Sequence, residues 1–215
     1  SGDECRENAH AHDGSCSIRP VGPRPPHCYI DAGSCCHGQD DAPRSTIVLP
    51  SEIMLQAAFA ITAVRSAIDL ADTIELFTTY AHSLGIDLAY QGFAEEMAAM
   101  PGKYAPPAGE LLLARRADGE AIGCVGLRPL DPTGCCEMKR LYVSPRARGL
   151  GLGRALIDAV VAEAQRIGYR EIRLDTLPTM DEAIGLYGKL GFETIAPYYV
   201  TPIEGTRFMA KRLVP

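Results

Sequence analysis

At 215 residues, with 47% hydrophobic and 22% charged side chains and a formal net charge of −6, the chain has room for one ordinary domain and an appendage. That acidic balance excludes a general nucleic-acid binder, which would show an overall basic surface. No stretch reaches the roughly 20 apolar residues of a membrane span, and the first residues lack the apolar core of a secretory signal. A cytoplasmic protein with no membrane partner is therefore expected.

Residues 1–50 read as a unit apart. They hold Pro20, Pro23, Pro25 and Pro26, five of the eight cysteines (Cys5, Cys16, Cys28, Cys35, Cys36) and four of the five histidines (His10, His12, His27, His37). Neither a helical nor an alternating period is visible, so a disordered or non-native extension is expected, with Met54 as a plausible natural start. Cys and His are natural metal ligands, but no paired CxxC is present and Cys35-Cys36-His37 is too compact for two ligand pairs. No metal is expected. The remaining cysteines, Cys124, Cys135 and Cys136, lie in strand-like sequence and should act as small buried hydrophobes.

A domain is expected over residues 55–215. In chain order, Phe59 to Val64 reads as a strand. Ala67 to Leu84 follows helical spacing and stops at Gly85, and Tyr90 to Met100 is a second helix ended by Pro101-Gly102. Glu110–Arg116 and Glu120–Leu130 flank Asp118-Gly119, a hairpin signal. Asp131-Pro132-Thr133-Gly134 turns the chain into a strand over Cys136–Val143. Leu152, Ala155, Leu156, Ala159, Val160 and Ile167 then trace one face of a long helix, with Gly168 placed for a left-handed cap. Glu171–Asp175 is a strand reached by a right-handed crossover. Thr179 and Glu182 have the form of a capping box opening a last helix to Leu190, and strands follow near Glu193–Ile195 and Thr206–Leu213. The class is α/β (α+β), with mostly antiparallel strands and one central βαβ crossing.

The most informative run is Arg148-Gly149-Leu150-Gly151-Leu152-Gly153-Arg154. Alternate glycines allow close backbone approach, and the following helix turns its unpaired N–H groups and positive dipole end into the same loop. Between Lys139 and Arg154 stand five basic residues (Lys139, Arg140, Arg146, Arg148, Arg154) and no acidic one. Together these make a phosphate or pyrophosphate site built largely of backbone. A dinucleotide fingerprint would need glycine where Arg154 stands. A Walker A loop would need Ser or Thr where Leu190 follows Gly188-Lys189. Both readings fail.

The remaining pattern, Arg-x-x-Gly-x-Gly at Arg148, Gly151 and Gly153, resembles that of the GCN5-related N-acetyltransferases (GNAT). Downstream, Ala183-Ile184-Gly185-Leu186-Tyr187-Gly188-Lys189-Leu190-Gly191-Phe192 is similar to the family's Ala-x-x-x-Tyr-x-x-x-Gly-Phe signature. The resemblance spans about residues 58–213, including the element order. It implies the GNAT acyl-CoA N-acyltransferase fold, a mixed, mostly antiparallel sheet with splayed central parallel strands flanked by helices.

It also implies acetyl-CoA as donor and a small amine or peptide as acceptor. The CoA pyrophosphate would sit on the amides of Arg148, Gly149, Leu150, Gly151, Leu152, Gly153 and Arg154, and the pantetheine arm along Leu141, Tyr142 and Val143. Tyr187 takes the general-acid position. Glu137 is the candidate base, read as sharing a strand face with Lys139, Leu141 and Val143. Relatives often carry Asn where Met180 stands, which leaves Thr179 as either a cofactor contact or a helix cap. Gly185 and Gly188 inside the last helix have no explanation at this level. Acceptor candidates are Tyr90-Gln91-Gly92-Phe93, Lys103-Tyr104 and Pro197-Tyr198-Tyr199. Homodimers are common in the family. The alternative is a non-catalytic acyl-CoA-binding sensor on the same fold.

Overall fold

The computed structural model describes residues 58–213; the Cys/His/Pro-rich extension expected over 1–50 lies outside them. Helix α1 (Ala67–Ser83) begins where Ser66 closes a cap: its Oγ accepts the Asp69 N–H at 3.1 Å and donates to the Asp69 carboxylate at 2.7 Å. Its inward stripe, Thr73, Leu76, Phe77 and Ala81, is buried. The single second helix expected from Tyr90 is divided. A 3₁₀ turn at Ala89–Gln91 precedes the short helix α2 (Phe93–Ala98), because Gly92 between them takes the left-handed φ of 67°. Helix α3 (Leu152–Ile167) ends at Gly168 in the left-handed cap read from the sequence. Helix α4 (Asp181–Lys189) differs at its start. Met180 is its N-cap and no side chain closes it, so Thr179 and Glu182 do not form the expected capping box.

Seven strands form one sheet: β1 (Ala60–Ala63), β2 (Glu110–Arg115), β3 (Ala121–Leu130), β4 (Cys135–Val143), β5 (Glu171–Thr176), β6 (Glu193–Thr194) and β7 (Arg207–Arg212), in the order β1-β2-β3-β4-β5-β7-β6. Every pairing is antiparallel except β4 with β5, which α3 connects. This is the βαβ crossing expected.

Apolar side chains cover both faces of the sheet. On one, Leu156, Ile157 and Val160 of α3 are fully buried against Ile122, Val125, Leu127, Met138, Ile172 and Leu174. Each such side chain contributes roughly 1.5–3 kcal/mol. On the other, Phe77 of α1 packs with Tyr104, Leu111, Leu113, Cys124 and Tyr142. Gly126 makes room here, since a Cβ would lie 2.6 Å from the Tyr104 ring. Cys124, Cys135 and Cys136 are free and buried, as their strand setting suggested.

Two irregularities in the middle of the sheet shape the site. First, β4 and β5 pair only from Cys135 with Glu171 to Glu137 with Arg173. Beyond that point both strands continue unpaired with each other and open a V. Second, β4 carries a bulge: Tyr142 pairs with Cys124 but Lys139 with Gly126, so Arg140 and Leu141 together oppose Val125. Arg140 sits at φ 58°, and among the described residues no other non-glycine has positive φ.

The bulge corrects the face expected for Glu137. Side chains alternate along a strand only while the ladder is regular. Cys136, Met138, Leu141 and Val143 all pack on the α3 side, whereas Tyr142 packs on the α1 side. Glu137 and Lys139 therefore face α1 and are separated from Leu141 and Val143 by the sheet.

Candidate active site

A cleft of about 850 Å³ runs along the opening between β4 and β5. One end is formed by the glycine loop. Gly149 and Gly151 take φ of 80° and 75°, and a Cβ on either would meet nothing within 4 Å. Open space thus faces backbone in a conformation that costs an L-residue roughly 1–2 kcal/mol. Gly151 is the N-cap of α3 and no side chain satisfies the first amides of that helix. The positive end of the dipole and its orphan N–H groups are thereby directed at the loop. Arg148 and Arg154 line the same end.

Leu141, Tyr142 and Val143 form the wall beyond the bulge, and Thr179 stands opposite near the start of α4. Every loop residue proposed from the sequence lines the cleft except Leu150, which packs on the α3 core. Tyr187 projects from α4 into the cleft, with its ring against Phe192 at 5.7 Å between centroids. Burial raises its pKa well above that of an ordinary phenol, and the Tyr80 phenol and Asp175 carboxylate nearby act in the same direction. It therefore stays protonated through neutral and mildly alkaline pH. Tyr80, which also lines the cleft, is pushed up to about 12, chiefly by burial.

Glu137 is placed elsewhere. Its side chain is 1% exposed and it is not among the residues lining the cleft. Arg128 donates to its Oε2 from Nε at 2.8 Å and pairs with it through Nη2 at 2.7 Å. The Tyr198 hydroxyl donates to Oε1 at 2.7 Å. Both carboxylate oxygens have structural partners, and the side chain does not line the cleft.

The carboxylate between the splayed strands is Asp175, on β5. Its side chain is 12% exposed and Lys139 Nζ donates to Oδ1 at 2.6 Å. Burial alone would raise its pKa, but the Lys139 charge and hydrogen bond, helped by Tyr199 and Arg140, outweigh that and hold it below the usual carboxylate value. Two other carboxylates, Asp181 and Glu182, line the cleft at the first turn of α4. The sequence offered one signal for Asp175: odd-numbered β5 residues face α1, and Asp175 is the first of these beyond the last β4–β5 pair.

The acceptor candidates divide as well. Tyr90 and Gln91 line the cleft. Tyr104 belongs to the α1-side core, its hydroxyl donating to Glu96 at 2.8 Å. Tyr198 and Tyr199 stack edge-on with Phe208 at 5.1 Å each; Tyr198 is bound to Glu137 away from the cleft, and Tyr199 meets the cleft residue Gln91. Among the described residues no cluster of His, Cys, Asp and Glu could hold a metal ion, and no helix is long and apolar enough to cross a membrane.

A glycine loop at a helix N-terminus, an opened parallel strand pair and a buried tyrosine share one cleft. The family model for the acetyltransferase (GNAT) family matches residues 72–192, most of the described domain. The chain belongs to the GNAT family. An uncharacterized N-acetyltransferase of Schizosaccharomyces pombe is 41% identical over 157 residues, covering 73% of this chain and 96% of that protein. A proposed acyl-CoA N-acyltransferase of Klebsiella pneumoniae has a solved structure that superposes with a TM-score of 0.56 at 30% identity, over 74% of this chain and 99% of that one. A GNAT-family acetyltransferase of Staphylococcus aureus shares the fold at a TM-score of 0.61 and 22% identity, over 73% of this chain and 100% of that one. This GNAT chain is accordingly an acyltransferase of the N-acetyltransferase type.

Proposed function

We propose that the chain transfers the acetyl group of acetyl-CoA to a primary amine held between β4 and β5. The observation that carries this reading is the continuity of the cleft. It runs from the glycine loop, past the unpaired length of β4, to Tyr187 and Asp175. The CoA pyrophosphate occupies the amides of Arg148–Arg154, with Arg148 and Arg154 at its edge, where a glycine Cβ would otherwise project. The pantetheine arm lies along Leu141–Val143, whose strand edge the splay leaves open, and Thr179 borders it from the other side.

Asp175 orients the incoming ammonium group. Lys139 keeps that carboxylate ionised, so it stays a hydrogen-bond acceptor for the amine N–H groups. The ammonium sheds its proton to water in the open cleft, and the free nitrogen attacks the thioester carbon. As the C–S bond breaks, the Tyr187 hydroxyl gives its proton to the departing thiolate sulfur, and the second proton lost by the attacking nitrogen returns through water to the Tyr187 phenolate. Glu137 acts through Tyr198 and Arg128 to hold this wall in place. The acceptor is a small molecule or a peptide that presents a primary amine.

Replacing Tyr187 by Phe keeps the ring against Phe192 and removes only the hydroxyl. The expected result is a loss of kcat on the order of 100-fold, with acetyl-CoA affinity unchanged by calorimetry. Unaltered kcat would remove Tyr187 from the reaction.

A further inference from the structure

Arg140 stands at the junction of the two substrates' walls. Its backbone makes the β4 bulge at φ 58°, which separates the paired part of the strand from the Leu141–Val143 wall. Its side chain, 3% exposed, leaves the sheet toward α1 and gathers three groups from residues 91–96. Nε and Nη2 donate to the two oxygens of Glu96 at 3.1 Å each, a bidentate pair. Nη1 donates to Gln91 Oε1 at 3.0 Å. The guanidinium also lies over the Phe93 ring, 4.9 Å from its centroid. Gln91 passes the connection on, its Nε2 donating to the hydroxyls of Tyr90 at 3.1 Å and Tyr199 at 3.3 Å.

Besides Arg140, segment 89–98 is held by Tyr104 and Arg128, which meet Glu96 at 2.8 and 3.6 Å, and by Met97 against the α1-side core; of the side chains that meet Glu96, Arg140 is the one that also reaches Gln91. The 3₁₀ turn and α2 contribute no fully buried residue, yet Tyr90 and Gln91 form part of the cleft wall. A three-residue turn and a six-residue helix joined by a left-handed glycine cannot hold a precise position by themselves. The guanidinium supplies that position, and it is anchored at the point where β4 changes register for the donor.

We propose that Arg140 is a positioning residue that couples the donor strand to the acceptor wall, so that a donor seated on Leu141–Val143 orders segment 89–98 for the amine. This rests on the assignment of donor and acceptor to the two walls of the cleft. A change in the bulge is transmitted through one side chain to Glu96 and Gln91, and from Gln91 to Tyr90 and Tyr199. Lysine could not replace it, because an ammonium cannot span both Glu96 oxygens and Gln91 at once.

Hydrogen exchange read by mass spectrometry tests this on the full chain, with acetyl-CoA as the probe. Arg140→Gly suits the test because glycine accepts the bulge conformation and lacks the guanidinium. The expected result is faster exchange confined to residues 89–98 with β4 still protected, and loss of any slowing that acetyl-CoA produces there in the unaltered chain. Arg140→Lys should fall between the two. Glu96→Gln, which leaves the β4 backbone untouched, should reproduce the effect. Once an acceptor is in hand, its KM should rise on the order of tenfold in both Arg140→Gly and Glu96→Gln, with less change in kcat. Unchanged exchange at 89–98 in both variants would overturn the proposal. If the unaltered chain failed to bind acetyl-CoA, the assignment of the donor wall would fall instead, and the ligand-free exchange comparison would still decide whether Arg140 holds the segment.

Discussion

The two walls of the cleft are built from different materials. In the proposed assignment the donor wall is one continuous stretch from Leu141 to Arg154, and its working groups are main-chain amides made accessible by glycine φ values and by a strand left unpaired on its β5 side. The acceptor wall is made of side chains that meet across 44 residues at Arg140–Glu96, 49 at Arg140–Gln91 and 108 at Gln91–Tyr199. A backbone cradle tolerates changes in the side chains around it and fails when its conformation is blocked. A side-chain lattice fails when any one charged member loses its partner.

That contrast breaks most sharply at Gly151. Gly151→Asp forces a Cβ into the left-handed N-cap and adds negative charge where an anion must bind. Acetyl-CoA affinity should fall on the order of 100-fold, about 2–3 kcal/mol, by calorimetry, while the domain still melts cooperatively. Retained affinity would mean that the loop is not the pyrophosphate site.

On the other wall, Asp175→Asn removes the charge opposite Lys139. The acceptor KM should rise about tenfold with donor affinity intact. The same residue predicts a pH dependence. Asp175 and Glu96 are both held below their ordinary pKa, against burial, by Lys139 and by Arg140 respectively. Groups depressed in this way add stability above the ordinary carboxylate range and lose it as pH falls through their folded values. The melting temperature should stay level from neutral pH to about 5 and drop below about 4, and Asp175→Asn should make the drop shallower.

Glu137→Gln separates a structural carboxylate from a reacting one. It leaves Arg128 facing a neutral amide, so stability should fall by about 1–3 kcal/mol in denaturant titration while turnover at a permissive temperature changes little. A large loss of kcat at unchanged stability would restore Glu137 as the base. The smallest effect belongs to Gly185 and Gly188 on the exposed side of α4. Neither takes a positive φ, and a Cβ on either meets nothing within 4 Å. Each change to Ala should stabilise the domain by roughly 0.5–1 kcal/mol, measured as a higher denaturant midpoint with kcat unaffected.

The donor wall was legible in the sequence because its logic is local. Gly151 and Gly153 between a strand and a helix, and Tyr187 ahead of Gly191-Phe192, can be read at fixed spacing, and so could the order of the strands and α-helices, though not the 3₁₀ turns between them. Tyr90, Gln91 and Tyr199 of the other wall were named from the sequence as candidates, but the contacts that join them were not legible. Nothing at Arg140 announces a left-handed arginine, and the bulge there reversed the face on which Leu141 and Val143 were placed relative to Glu137. Glu96 carries no sequence signal of the bonds to Arg140 and Tyr104 that the sheet brings to it. Thr179 looked like a cap because the four-residue spacing fits, yet α4 starts one residue later and leaves Thr179 on the cleft.

The central claim is that this GNAT cleft seats acetyl-CoA on the backbone wall and a primary amine on the side-chain wall. The most direct measurement follows free CoA release by the full chain from acetyl-CoA across a panel of small primary amines and peptides with free N-termini or lysines, with products identified by mass spectrometry. The account predicts release that depends on the amine, together with the matching N-acetylated product. Tight acetyl-CoA binding with no amine-dependent release from any acceptor class would contradict it.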